Sequence, residues 1–203
     1  MFKIAVLVSG GGTDLQSIID GVKSGYLSNC SIELVISDRD GIYALERAKQ
    51  NNINTCVAAR KVYKDKLSDK ILDIIYGKVD LIVCAGWLSI LKGNLIEAFK
   101  NKIINIHPSL IPSFCGNGMY GIKVHQAAID YGVKVSGCTV HFVDSGTDSG
   151  PIILQKTVPV LSDYSAEDLQ KRILEEEHKA LPEAVKLISE GRIKVVGRKV
   201  IIL

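Results

Sequence analysis

The chain has 203 residues, with 25 Lys or Arg against 22 Asp or Glu for a formal net charge of +3, and it is 47% apolar and 23% charged. That near balance gives no footing for a nucleic-acid or membrane-surface protein, and no apolar run reaches the ~20 residues that span a bilayer. A chain of this length buries roughly 70% of its unfolded surface and builds a full core unaided, so one domain over residues 1–203 is the expectation.

Lys3 alone precedes the apolar run Ile4–Val8, and Ser9-Gly10-Gly11-Gly12 interrupts it too early for a signal peptide. The run reads as a strand buried on both faces. Leu15, Ile18, Ile19 and Val22 then recur at helical spacing up to a stop at Gly25. A strand around Ile32–Ile36, a helix around Tyr43–Gln50 and a short strand near Asn54–Val57 follow. Next come a helix near Asp65–Tyr76 and a second fully apolar strand, Leu81–Cys84. Strand and helix alternating in this way predict a Rossmann-like α/β fold, an open, mostly parallel twisted sheet with helices on both faces.

Beyond residue 100 the pattern is less regular. Ile103–Ile106 reads as a strand stopped by Pro108, then comes a loop rich in glycine and aromatics from Phe114 to Gly121, and a helix near Val124–Tyr131. Val135–Val143 and Pro151–Val160 read as long strands joined by Asp144-Ser145-Gly146-Thr147-Asp148-Ser149-Gly150. A last helix runs from Ser165, with Asp168 completing a capping box, to near Gly191, and Pro182 should kink or divide it. The five cysteines form no CxxC pair and several sit in apolar runs, which predicts free thiols and a cytoplasmic location.

Three features carry chemistry. The loop Ser9–Leu15 joins the first strand to the first helix, where backbone N–H groups and the helix dipole suit a phosphate. Leu15 stands where a dinucleotide loop would have its third glycine, and no Gly-Lys-Ser/Thr is present, so neither NAD nor ATP is indicated. The plainer alternative is a tight turn capped by Thr13 or Asp14. In Asn105-Ile106-His107-Pro108, an amide and an imidazole two apart on a strand emerge on one face near the carboxyl edge of the sheet. Such a pair is able to stabilise an oxyanion and move a proton, although a histidine before proline at a strand end is equally compatible with a satisfied structural residue. Asp148 reads either as a carboxylate that orients a histidine or as an ordinary turn residue. His107, His125, His141 and His178 lie on separate elements with no spacing suited to a metal.

The order and separation of several motifs resemble the phosphoribosylglycinamide formyltransferases over nearly the whole chain. These are Ser9-Gly10-Gly11-Gly12-Thr13-x-Leu15-Gln16, Ala85-Gly86, Asn105-x-His107-Pro108-Ser109-Leu110-x-Pro112, Thr139-Val140-His141-Phe142-Val143 and Asp148-x-Gly150-Pro151-Ile152-Ile153. The resemblance implies transfer of a formyl group from 10-formyltetrahydrofolate, a cosubstrate, to the amine of glycinamide ribonucleotide in purine synthesis. It implies Asn105, His107 and Asp148 as the catalytic trio, and Gly11, Gly12, Thr13, Asp14 and Glu177 on the ribonucleotide. Lys66, Leu88, Ser89, Ile90, Leu91, Asn105, His141 and Asp144 fall on the folate side. It implies no metal, only small-molecule partners, a monomer or homodimer, a ribonucleotide half over about 1–100 and a catalytic and folate half over about 101–203. This chain departs from the pattern in having Asp14 for an asparagine, Ser89 for an arginine, Leu174 for a polar residue and a longer 115–121 loop. Competing readings are a formyltetrahydrofolate hydrolase, a non-catalytic nucleotide-binding module, and an NAD-dependent oxidoreductase using Asp38.

Overall fold

The computed structural model describes residues 1–203. Its first strand, β1 (Phe2–Val8), shows how the sheet is buried: Ile4, Val6 and Val8 enter one apolar cluster, while Ala5 and Leu7 enter another on the opposite face. β4 (Leu81–Cys84) divides the same way, Leu81 and Val83 to one side and Ile82 and Cys84 to the other. The period-2 pleat of a strand covered on both faces requires such unbroken apolar runs.

Between these two strands the chain forms α1 (Thr13–Lys23), β2 (Cys30–Ser37), α2 (Tyr43–Gln50), β3 (Thr55–Val57), α3 (Arg60–Tyr63) and α4 (Leu67–Ile75). After β4 come α5 (Asn94–Ala98), β5 (Ile103–His107), α6 (Ile122–Tyr131), β6 (Val135–Phe142), β7 (Ile152–Pro159), α7 (Ala166–Ser189), β8 (Ile193–Val196) and β9 (Lys199–Ile202). One nine-stranded sheet has the order β3-β2-β1-β4-β5-β6-β7-β9-β8. Neighbours from β3 to β5 are parallel, whereas β6 is antiparallel to both β5 and β7. The chain therefore leaves β1 toward one edge and returns to its other side with β4. A crevice opens at the carboxyl ends of strands where an open α/β sheet reverses direction in this way, and here it lies between the loops that follow β1 and β4.

Several expectations need correction. The helix expected over Asp65–Tyr76 is α3, a 3₁₀ turn at Lys64–Lys66 and α4, interrupted where Lys64 takes a left-handed φ of 46°. Pro182 does not divide the last helix, which is continuous over 24 residues. Leu181, Ala184 and Val185 on either side of the proline are fully buried, and their packing keeps the helix continuous despite the missing N–H. The capping box at Ser165 forms as expected, with Ser165 Oγ accepting from Asp168 N and Asp168 Oδ2 accepting from Ser165 N, each at 3.1 Å. α5 and the β8–β9 hairpin are additions that the sequence reading lacks. No helix is long and apolar enough to cross a membrane.

Candidate active site

The crevice is a cleft of about 720 Å³, within the usual range for small-molecule sites. Its floor at one end is the loop after β1. Gly12 has φ 75°, and a Cβ there would lie 2.6 Å from Ala44 Cβ and 2.9 Å from Ala44 Cα on α2. Only glycine fits at that position. Gly10 and Gly11 by contrast have open space where a side chain would stand. α2 also fixes the loop from behind, through Ala44 N to the Gly10 carbonyl (3.2 Å) and Arg47 Nε to the Gly11 carbonyl (2.8 Å). The N–H groups at the start of α1 thus meet the cleft on a braced, open backbone, which suits an anion.

The segment after β4 forms the second wall. Leu88 N donates to Ser9 Oγ (3.0 Å) and Ser89 Oγ donates to Asp38 Oδ2 (2.7 Å). Asp38 is fully buried; burial alone would raise its carboxyl, but hydrogen bonds from Arg39 and Ser89 outweigh that and hold it below the usual range. This ionised anchor ties residues 88–89 to the ends of β1 and β2. Leu91 is buried beneath, while Leu88 and Ile90 remain exposed at the cleft. Exposed apolar side chains on a fixed loop suit the face of a flat ring.

The third wall carries the titratable groups. Ile104 and Ile106 of β5 enter the core cluster, which turns Asn105 and His107 to the other face. Antiparallel pairing with β6 sets Asn105 opposite His141, and Asn105 Nδ2 lies 3.2 Å from His141 Nε2. His141 Nδ1 is 2.8 Å from the Phe142 carbonyl. A carbonyl only accepts, so Nδ1 carries the hydrogen and Nε2 accepts from the Asn105 amide. Burial favours this neutral ring by lowering its pKa. His107 is held the opposite way round: its Nε2 meets the Phe114 carbonyl at 2.9 Å. By the same argument Nε2 keeps its hydrogen in every state, and the exchangeable proton of His107 resides on Nδ1.

That Nδ1 lies 3.6 Å from Asp148 Oδ2, and His141 Nε2 lies 3.7 Å from Asp148 Oδ1. These are charge-pair distances, too long for direct hydrogen bonds, so the carboxylate acts on both rings and is committed to neither. Its Oδ2 accepts from Gly116 N at 2.9 Å. The two groups that flank His107 come from left-handed non-glycine residues, Phe114 (φ 49°) and Asp148 (φ 54°). Such backbone persists where surrounding structure over-determines it. Phe114 is held by edge-on packing against Tyr131 of α6 at 5.9 Å. The Asp148 turn is closed by Gly150, where a Cβ would meet the Phe142 carbonyl at 1.8 Å.

The structure brings most of the expected residues together. Gly11, Gly12, Thr13, Asp14, Leu88, Ser89, Ile90, Leu91, Asn105, His107, His141, Asp148 and Glu177 all line the one cleft. Lys66 and Asp144 do not. Lys66 ends the 3₁₀ turn on the exposed surface. Asp144 spends Oδ1 on Gly146 N (3.0 Å) and Ser149 Oγ (2.5 Å), so it builds the turn that presents Asp148. The cleft draws on residues from both sides of residue 100, within 10–14, 84–91, 105–108, 116–125 and 141–177.

Some residues of the cleft escaped the sequence reading. Trp87, the chain's one tryptophan, follows Ala85-Gly86 and has a buried Nε1 without a partner. His125 faces the same cleft, its pKa pushed down to about 4 by burial and then by the neighbouring His107. Gln170 lies one helical turn before Leu174, and both line the cleft. No cluster of three His, Cys, Asp or Glu side chains is arranged to hold a metal ion.

Comparison with known proteins gives this arrangement its setting. The family model described as formyl transferase matches residues 2–185. The chain belongs to the formyl transferase family. The chain is 41% identical over 198 residues to the phosphoribosylglycinamide formyltransferase of Haemophilus influenzae, covering 96% of this chain and 91% of that one. The crystal structure of glycinamide ribonucleotide transformylase 1 from Symbiobacterium toebii superimposes with a TM-score of 0.94 at 43% identity, covering 100% of this chain and 94% of that one. The chain spans 19% of the human trifunctional purine biosynthetic protein adenosine-3, at 37% identity. A mostly parallel open sheet with helices is the architecture this formyl transferase shares with the Symbiobacterium enzyme.

Proposed function

We propose that this protein transfers the formyl group of 10-formyltetrahydrofolate to the glycyl amine of glycinamide ribonucleotide, a step of purine synthesis. The observation that carries the reading is the juxtaposition of Asn105, His107 and Asp148 on one wall of a cleft whose other end is the braced glycine loop. The relatives' names agree with it.

The bond formed joins the glycyl nitrogen to the formyl carbon, and the bond broken joins that carbon to the folate nitrogen. Negative charge develops on the formyl oxygen, where the free N–H of the Asn105 amide and Nδ1–H of protonated His107 are the available donors. Asp148 Oδ2 stands 3.6 Å from that Nδ1, on the side where the proton is exchanged. The same carboxylate is placed to direct the amine proton toward the departing nitrogen. The phosphate of the ribonucleotide rests on the N–H groups of Gly11 to Asp14, and Glu177 faces its ribose. The exposed Leu88 and Ile90, with backbone groups of residues 88–91, hold the pterin. The chain acts as one domain on two small molecules, and its five free thiols suit a reducing compartment such as the cytoplasm.

The test is turnover of purified protein with both substrates, and with the folate alone. Formylated ribonucleotide and tetrahydrofolate in equal amounts are expected, and His107→Asn should lower kcat by about 10²–10³ with the fold retained by circular dichroism. Formate released at the same rate without ribonucleotide would assign a hydrolase instead, and an unaffected His107→Asn variant would remove the imidazolium from the mechanism.

A further inference from the structure

At the phosphate end of the cleft two carboxyl groups are buried without a counter-ion. Asp14, the second residue of α1, is 9% exposed and its Oδ1 has no hydrogen-bond partner. Glu177 of α7 is 8% exposed and lines the same cleft. Neither lies within 4 Å of a lysine or arginine nitrogen; the nearest base is His178 of α7, whose unpartnered Nε2 is 3.9 Å from Asp14 Oδ1. Burial keeps that imidazole toward its neutral form.

The packed elements supply no free cation, since Lys156 of β7 is already paired with Glu183 at 2.7 Å. From β6 comes Cys138, a neutral thiol pushed up to about 12 by burial. From α2 comes Arg47, already bonded to the Gly11 carbonyl and to Gln16 Oε1, and from α1 itself comes Asp20, which accepts from Gln16. Elsewhere on α7, Glu176 is paired with Lys179.

Two carboxyls in one buried site resist ionising together. Burial pushes Asp14 up to about 6, and burial together with the Asp14 charge pushes Glu177 well above its usual range. A phosphate monoester seated on the loop adds about 1.5–2 negative charges to this corner at neutral pH.

We propose that Asp14 and Glu177 keep one proton between them while the ribonucleotide phosphate is bound, so that Asp14 is a positioning residue coupling ribonucleotide affinity to proton uptake. The proposal rests on the reading that the glycine loop takes this phosphate. The protonated member of the pair is a neutral donor beside the ligand, whereas the doubly ionised pair repels it. Affinity is full at low pH and declines as pH rises through the titration of the pair, by at most about tenfold per pH unit for one proton.

The experiment compares KM for glycinamide ribonucleotide in the wild type and in Asp14→Asn from pH 6 to 8.5. Asparagine keeps the shape and stays neutral, and the ratio of the two KM values cancels the titration of the phosphate and of groups away from the pair. The ratio of wild type to variant is expected to rise at least about fivefold over this range. Calorimetric binding in buffers of different protonation enthalpy should show more proton uptake by the wild type than by the variant. A ratio independent of pH, with equal proton uptake, overturns the proposal. Glu177→Gln serves as a second variant and should flatten the same slope even if its KM is higher throughout; a slope as steep as that of the wild type counts against the pair. Turnover in the same assays separates the two readings, because a chain that formylates the ribonucleotide with a flat ratio loses only the shared proton, and one that never formylates it loses the function.

Discussion

Replacing Asp14 by asparagine tests the charge balance of the fold itself, with no ligand present. The carboxyl has a pKa of 3.8 in an unstructured chain and about 6 in the folded one, raised by burial. Between those values the folded chain binds more protons at Asp14 than the unfolded one, so the contribution of this group to stability is highest below 3.8, falls as pH climbs toward 6 and is level beyond. The full span corresponds to about 3 kcal/mol at 1.36 kcal/mol per unit. About 2 kcal/mol of it falls between pH 4.5 and 7.5, where the native state is experimentally convenient. Asparagine has no proton to lose, and its neutrality also relieves Glu177. The gain in stability of Asp14→Asn over wild type should therefore grow by about 2 kcal/mol from pH 4.5 to 7.5, or roughly 1 M in urea midpoint for an m-value near 2 kcal/mol/M. Urea unfolding followed by circular dichroism at the two pH values measures it, and the titrating groups that do not interact with Asp14 cancel in the difference. A stability difference of the same size at both pH values would show that Asp14 is not under this electrostatic load.

Two further perturbations address the other parts of the cleft. Gly12→Ala forces a side chain to φ 75° against Ala44 at 2.6 Å; it should destabilise by at least about 2 kcal/mol and raise the ribonucleotide KM more than tenfold, while Gly10→Ala, with open space around it, leaves the urea midpoint nearly unchanged. Ser89→Ala removes a hydrogen bond to the buried Asp38 carboxylate, a bond of the kind worth about 1.5–3 kcal/mol. The folate KM should rise on the order of tenfold with the ribonucleotide KM unchanged, and a parallel rise in both would mean that the 88–91 segment does not act on one substrate alone.

The parts of the fold that sequence reveals are those governed by short-range patterning. Leu81–Cys84 and Tyr43–Gln50 have in the structure the bounds expected of them, because a fully apolar run and a helical face each state their own burial. α5 has five residues, too few to display a period, and it exists because Leu95 and Phe99 find the cluster under β4. The terminal hairpin, Ile193 to Ile202, has two short apolar runs around Gly197-Arg198, but its place beside β7 depends on a single long-range pairing. Pro182 shows the reverse case, a strong local signal overruled by fully buried neighbours. At the site, Asn105, His107 and Asp148 were recognisable as residue types, whereas the group that fixes the His107 tautomer is the backbone carbonyl of Phe114. Every residue has a carbonyl, so nothing in the letters marks that one. Lys66 and Asp144 lie outside the cleft lining, Lys66 at the end of an exposed 3₁₀ turn and Asp144 inside the turn that carries Asp148, and no local pattern in the sequence announces either placement.

α7 brings Gln170, Leu174 and Glu177 to a cleft whose opposite bank begins at Gly10. Two stretches about 160 residues apart in sequence thus meet across the same cleft. A nascent chain emerging from the ribosome owns the glycine loop long before it owns both banks of the cleft, and a ligand that bridges the two clasps these distant segments together. Fraying of the last helix would then cost ligand as well as packing, which makes ribonucleotide retention a sensitive gauge of whether the terminal third has docked.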